Sequence, residues 1–271
     1  MTVDIRTLDL DDIETLIDWA AAEGWNPGVV DASAFHAADP KGFLGAFVDG
    51  VMVAGISVVA YDDDFGFLGL YICHPDFRGQ GYGRAVWDAG MTYLGNRIVG
   101  LDGVPEQQAN YQRMGFAADY ETVRMGGVLR RVAARHCHIE VLDSVEPVRD
   151  VDQACFPARR DRFLEAWISP PHQALVAMRD GQPCGYMVVR ACRKDRKIGP
   201  LFAADLASAR DLIGAIEGVV QIDVPQYQTG LLAELDALGF SAQFRTARMY
   251  RGPAPALRRE QIFGVTSLEL G

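Results

Sequence analysis

The segment GFAADYETVRM (Gly115 to Met125) returns as GFSAQFRTARM (Gly239 to Met249), with Gly, Phe, Ala, Thr, Arg and Met each repeated 124 positions later. Six identities in eleven positions at one offset mark an internal duplication, which restricts the chain to folds that a single unit can adopt twice. Upstream, DGVMVAGISVV (49–59) aligns with DGQPCGYMVV (180–189), and GLDGVP (100–105) has a looser echo in QIDVP (221–225). The 271 residues therefore divide into two copies of a unit of roughly 125 residues, an ordinary domain size. The expected boundaries are a first domain at 1–130, a linker at 131–140 and a second domain at 141–271.

Within the first copy, residues 3–8 have strand character. DLDDIETLIDWAAAEG then places Ile13, Leu16, Ile17 and Ala20 at helical spacing behind an acidic first turn, and Gly24 ends the helix. Three strands follow between 42 and 73, divided by an Asp-Gly hairpin at 49–50 and an acidic turn at 62–64. A helix is expected from Gly81 to Leu94, a strand near 97–101, a helix near 105–114 and a strand near 116–126. Strands and helices mixed in this order give an α/β or α+β unit around a mixed sheet, here duplicated in tandem. The tail EQIFGVTSLELG (260–271) has strand character and is expected to pair across the domains.

Composition narrows the partners. Asp and Glu number 36 against 26 Lys and Arg, for a net charge of -10, and no Lys/Arg-rich run concentrates positive charge, so nucleic acid is not an expected partner. The N-terminus MTVDIRTLDLDDIETL carries acids where a signal peptide would need a basic region, and no window reaches the length of a membrane span. The expectation is a soluble cytoplasmic protein. Five cysteines without a CxxC pair read as free thiols in a reducing compartment, with no metal site. HCH at 136–138 is no exception, because neighbours on an extended chain point to opposite sides.

The richest local signal is YICHPDFRGQGYGRAVW, Tyr71 to Trp87. Pro75 stops sheet pairing after Cys73, and glycines at 79, 81 and 83 let the backbone turn tightly into the start of a helix. There the unpaired N–H groups and the helix dipole favour an anion, and Arg78 and Arg84 add charge. The plainer alternative is a glycine turn with two solvated arginines. The loop lacks the GxGxxG of a dinucleotide fold directly after an early strand and the GK-Ser/Thr of a Walker loop.

It matches R-x-x-G-x-G, and here the chain resembles the GCN5-related N-acetyltransferase (GNAT) family over residues 1 to about 130. The resemblance implies the acyl-CoA N-acyltransferase fold, with acetyl-CoA as co-substrate and an amine as acceptor, attacking the thioester directly in a ternary complex. It implies that Ile72 and Cys73 present backbone groups to the pantetheine arm and that Arg78, Gly79, Gln80, Gly81, Tyr82, Gly83 and Arg84 hold the pyrophosphate. It also implies that Tyr111, four residues before Gly115, protonates the departing thiolate. The alternative for Tyr111 is a helix-face aromatic packed on the sheet. An Asn expected about two turns ahead of that tyrosine is replaced by Val104, with Gln107, Gln108 or Asn110 as substitutes.

Asp102 and Glu23 are the candidate general bases, each with a plainer role as a turn or capping carboxylate. Trp25 and Asn26, in the loop EGWNPG after the first helix, are candidates for shaping acceptor choice, a core-capping Trp25 being the alternative. The second copy has no glycine cluster at the aligned position, carries Asp205 near the helix start and has Leu235 in place of Tyr111. One cofactor site per chain is expected, in a tandem member whose second domain is degenerate. A rival reading is a non-catalytic acyl-CoA sensor or regulatory protein. The acceptor and the choice between monomer and homodimer are not legible in the sequence.

Overall fold

A computed structural model describes residues 3–271 of the chain. The first copy runs β1 (Asp4–Thr7), α1 (Leu10–Ala22), α2 (Asp31–Ala38), β2 (Phe43–Val48), β3 (Val51–Ala60), β4 (Phe65–Cys73), α3 (Tyr82–Leu94), β5 (Ile98–Gly103), α4 (Pro105–Arg113) and β6 (Ala117–Leu129). The second runs β7 (His138–Val141), α5 (Arg149–Cys155), α6 (Asp161–Ile168), β8 (Gln173–Arg179), β9 (Gln182–Ala191), β10 (Arg196–Ala203), α7 (Leu206–Gly214), β11 (Gly218–Pro225), α8 (Thr229–Ala237), β12 (Ser241–Arg251) and β13 (Ile262–Gly264). β7 begins inside the interval expected to be linker.

The local physics follows the pattern of the sequence. Asp9 caps α1 by accepting from the Asp12 N–H at 2.9 Å, and Ile13, Leu16, Ile17 and Ala20 are all buried. Asp49 and Gly50 both take positive φ, as do Asp180 and Gly181 in the second copy, which gives each β-hairpin a turn matching the twist of its strands. The duplication also persists at single hydrogen bonds. The Phe116 N–H donates to the Tyr111 carbonyl at 3.0 Å, and the Phe240 N–H donates to the Leu235 carbonyl at 2.9 Å.

The two copies exchange their last strands. Along the single mixed sheet the order is β1-β2-β3-β4-β5-β12-β6-β11-β10-β9-β8-β7, with β13 on β10. So β12, from the second copy, pairs antiparallel with β5 of the first, while β6 of the first pairs antiparallel with β11 of the second. One buried cluster likewise spans both halves, joining Leu16 and Phe35 to Trp167 and Tyr186. The tail pairs within its own copy, since β13 lies on β10, a correction to the expectation of pairing across the domains. Beyond β13 it does cross over: the Leu270 carbonyl accepts from the Tyr61 hydroxyl at 2.9 Å, and Gly69 has no room for a Cβ because the Glu269 backbone oxygen would lie 2.1 Å from it.

α2 was not expected. It has only a weak apolar stripe and follows the turn at 25–28, and its Asp31 and Phe35 are buried against the second copy rather than signalled by period.

Candidate active site

β4 and β5 run parallel and pair only from Phe65↔Ile98 to Leu68↔Leu101. Leu70 then takes a φ of +45°, and the two strands part: β5 turns to β12, leaving the edge of Tyr71–Cys73 that faces β5 without a partner strand. This is the splayed edge at which Ile72 and Cys73 were expected to meet a ligand.

The loop after it turns tightly into the start of a helix. Pro75–Phe77 form one 3-10 turn, and Gly79 and Gly81 take φ of +77° and +89°, a region that strongly favours glycine. Gly81 is the N-cap of α3 and brings no side chain to the cap, and no acid sits in the first turn. No capping side chain satisfies the first N–H groups of α3, although the Gly83 N–H faces the Cys73 thiol. Tyr82 and Gly83 form that turn, with Gln80 just before it. Arg84 is exposed and paired with Asp88 at 2.8 Å. Arg78 lies at the mouth of the same cleft. Its guanidinium pairs with Glu23, at the end of α1, and donates to the Cys73 carbonyl at 3.0 Å.

Tyr111 projects from α4 between Trp87 and Phe116, with ring centroids 5.8 and 6.3 Å away. Burial pushes its phenol up to about 12, so it remains a proton donor across the neutral range. It lines a cleft of about 670 Å³ together with Glu23, Trp25, Tyr71, Ile72, Cys73, Arg78 and Gln107. An inner recess of about 40 Å³ continues from the same residues toward Phe244 and Thr246 of β12 and Leu268 and Glu269 of the tail.

The two proposed bases come out differently. Both oxygens of Asp102 accept from Arg248, at 2.9 and 2.8 Å, and its side chain is fully buried. Asp223 makes the same bidentate pair with Arg124, at 2.7 and 2.9 Å, on the other side of the exchanged strands. A pair that recurs in both copies, one of which lacks the loop and the tyrosine, is framework. This corrects the assignment of Asp102 as base. Burial raises the Asp102 carboxyl against the pull of Arg248; Asp223, equally buried, is held below its usual range because Lys197 and Arg190 add to Arg124. Glu23 stays at the mouth of the cleft, held by Arg78.

Trp25 lines both the cleft and the recess. Asn26 lines neither. Its amide nitrogen donates to the Lys194 carbonyl at 2.8 Å and to Gln221, and its amide oxygen accepts from the Lys194 N–H at 2.8 Å. This ties the loop to the second copy and leaves the amide no free group for an acceptor, a correction to its expected role. Among the described residues, no three His, Cys, Asp or Glu gather to hold a metal.

In the second copy, Asp205 is the N-cap of α7. Its carboxylate accepts from the Ser208 N–H at 2.8 Å, and a hydrogen bond from Arg179 holds it well below the usual range. The start of α7 is already occupied by a fixed negative charge, where that of α3 is open. Leu235, at the position of Tyr111, is buried in the second core.

An acetyltransferase (GNAT) family model matches residues 10–116 and an acetyltransferase (GNAT) domain model matches residues 148–264. The holothin acyltransferase of Pseudoalteromonas sp. (strain SANK 73390) is 33% identical, over 98% of this chain and 94% of that protein. The chain belongs to the GNAT family. It is a two-domain GNAT acyltransferase, and structures share its arrangement. A tandem GNAT protein from the clavulanic acid biosynthesis pathway superposes with a TM-score of 0.63, at 17% identity over 93% of this chain and all of that one. A Pyrococcus horikoshii protein assigned as an acetyltransferase reaches 0.83, at 20% identity over 99% and 96%. No helix among the described residues is long and apolar enough to cross a membrane.

Sequence reasoning, which has the second copy wall the acceptor pocket or stabilise the first, did not single out the residues that reach this GNAT site. Phe244, Thr246, Leu268 and Glu269 reach the recess only through the strand exchange and the returning tail. The one available signal was Gly69, whose lack of a side chain marks a close backbone approach.

Proposed function

We propose that this GNAT protein transfers an acetyl group from acetyl-CoA to a primary amine of a small molecule or peptide, by direct attack in a ternary complex, at one site per chain in the first copy. The observation that carries the reading is the uncapped start of α3 beside an unpartnered strand edge, with Tyr111 on the wall of the same cleft. Acetyl-CoA supplies the activated acyl thioester. The N–H groups of Gly79 to Gly83, with Arg84, hold its pyrophosphate, and the open edge at Ile72 and Cys73 holds the pantetheine arm. Arg78 serves by fixing Glu23 and the Cys73 carbonyl at the mouth. Tyr111 donates its proton to the departing sulfur, and the apolar walls exclude the water that would compete with the amine. A cytoplasmic setting suits the five free thiols. Leu235 and Asp205 leave the second copy with neither the acid nor the cradle.

Holothin, named in the relative, is the first acceptor to test. Calorimetric titration with acetyl-CoA is expected to give one site per chain, and added acceptor to release free CoA thiol in step with amide formation. Two equal sites, or none, would sink the single-cradle reading.

A further inference from the structure

The recess behind Tyr111 is walled by Trp25, Leu68, Leu70, Leu101, Phe244 and Leu268, and it is small, about 40 Å³, room for roughly three water molecules. Three polar side chains reach its lining besides the tyrosines: Asp102, Thr246 and Glu269. The Asp102 carboxylate is spent on Arg248. The Oε2 of Glu269 and the Oγ1 of Thr246 are buried with no hydrogen-bond partner, although Glu269 is only 3% exposed. Two unpartnered oxygens on residues that line a mostly apolar recess call for a donor, since a buried polar atom without a partner is costly. The nearest cation to Oε2, Arg190, stops at 3.9 Å, beyond hydrogen-bond reach, and its other terminal nitrogen is held by Asp31.

Resting on the acetyl-transfer reading above, we infer that Glu269 is the group that receives the acceptor, binding its ammonium and taking one proton from it, and that the acceptor presents a compact primary amine on an apolar body. The proton passes from the nitrogen to Oε2, and no bond to carbon is made or broken in that step. Thr246 accepts a second N–H. The recess takes the amine end, while the rest of the acceptor lies in the wider cleft, which Trp25 and Phe244 also line. A carboxylate-bearing end would meet Glu269 with like charge, and an alcohol offers one donor to two acceptors. The titratable and charged groups facing Glu269 are Arg190 and Cys192 from β9, Lys197 from β10, Arg124 from β6, Asp31 from α2 and Asp102 from β5.

The test uses the full chain with benzylamine and benzyl alcohol as probes, and reads binding as well as turnover. Wild type is expected to bind the amine at least tenfold more tightly than the alcohol. E269Q is expected to erase that preference with acetyl-CoA affinity unchanged, and T246V to weaken amine binding several-fold. In turnover, E269Q is expected to lose at least a hundredfold in kcat and to flatten the acid limb of the pH profile, while E269D keeps part of both. A variant that retains the preference and the limb but melts lower would make Glu269 only an anchor of the tail, and equal binding of the two probes by wild type would also overturn the inference. Should E269Q fail to fold, E269D and T246V decide by the same binding ratio. Failure of wild type to bind acetyl-CoA would strike the acetyl-transfer reading instead, with the amine preference still deciding Glu269.

Discussion

Tyr111 and Lys197 show how burial sets the chemistry of single residues. Burial drives the Tyr111 phenol up to about 12, so it adds no pH dependence of its own between pH 6 and 9. The variant Tyr111→Phe keeps the ring stacked on Trp87 and is expected to lower kcat by about a hundredfold or more with acetyl-CoA affinity unchanged; steady-state kinetics beside calorimetry separates the two. Lys197, 2% exposed, donates only to the Trp25 carbonyl at 3.2 Å, and burial, helped by Arg124, lowers its ammonium to about 8 from 10.5. The unfolded chain therefore holds the extra proton between those values, and stability rises with pH across that window, complete above 10.5 and lost below 8. Urea midpoints at pH 7.5, 8.5 and 9.5 are expected to climb in wild type, by at most about 1.4 kcal/mol per pH unit, and to climb less in Lys197→Met. Equal slopes would show that Lys197 is not the source.

At the scale of elements, α3 and α7 differ in how their first turns are capped. Both helices follow a strand of the same sheet, yet α3 starts at a left-handed glycine with no side-chain cap and α7 starts at Asp205. Gly81→Ala forces a Cβ into a φ of +89°, at a cost of about 1–2 kcal/mol. Nothing lies within 4 Å of that Cβ, so the expected damage is to the conformation of the loop and not to packing. Acetyl-CoA affinity should fall at least tenfold with only a modest drop in melting temperature, measured by calorimetry and thermal denaturation. Unchanged affinity would remove the loop from the binding site.

The whole molecule is held by reciprocal exchange. Arg124 of the first copy grips Asp223 of the second, and Arg248 of the second grips Asp102 of the first, so each unit completes the sheet of the other. Removing one partner strands a buried guanidinium, and Asp102→Ala and Asp223→Ala are each expected to lose about 3–5 kcal/mol of stability by chemical denaturation. Turnover per folded molecule should fall less than tenfold in Asp102→Ala. Stability left intact with turnover abolished would restore Asp102 as the base.

The sequence by itself determined the duplication, the order of elements in the first copy apart from α2, and the glycine turn that opens α3. The repeat GF…T.RM, the periods of 3.6 and 2, and the glycines at 79, 81 and 83 are local signals, each read within a dozen residues. It also distinguished the copies, since Asp205 and Leu235 stand where a cradle and a tyrosine would be. The tertiary structure alone decided what the acceptor would meet. Asp102 reads as a free carboxylate until β12 brings Arg248 beside it from 146 positions away; Asn26 reads as a loop amide until Lys194 takes both its ends; Glu269 reads as part of a tail until Gly69 admits its backbone. No local pattern encodes a partner contributed by another element, because strand exchange pairs residues by the topology of the sheet and not by their spacing along the chain.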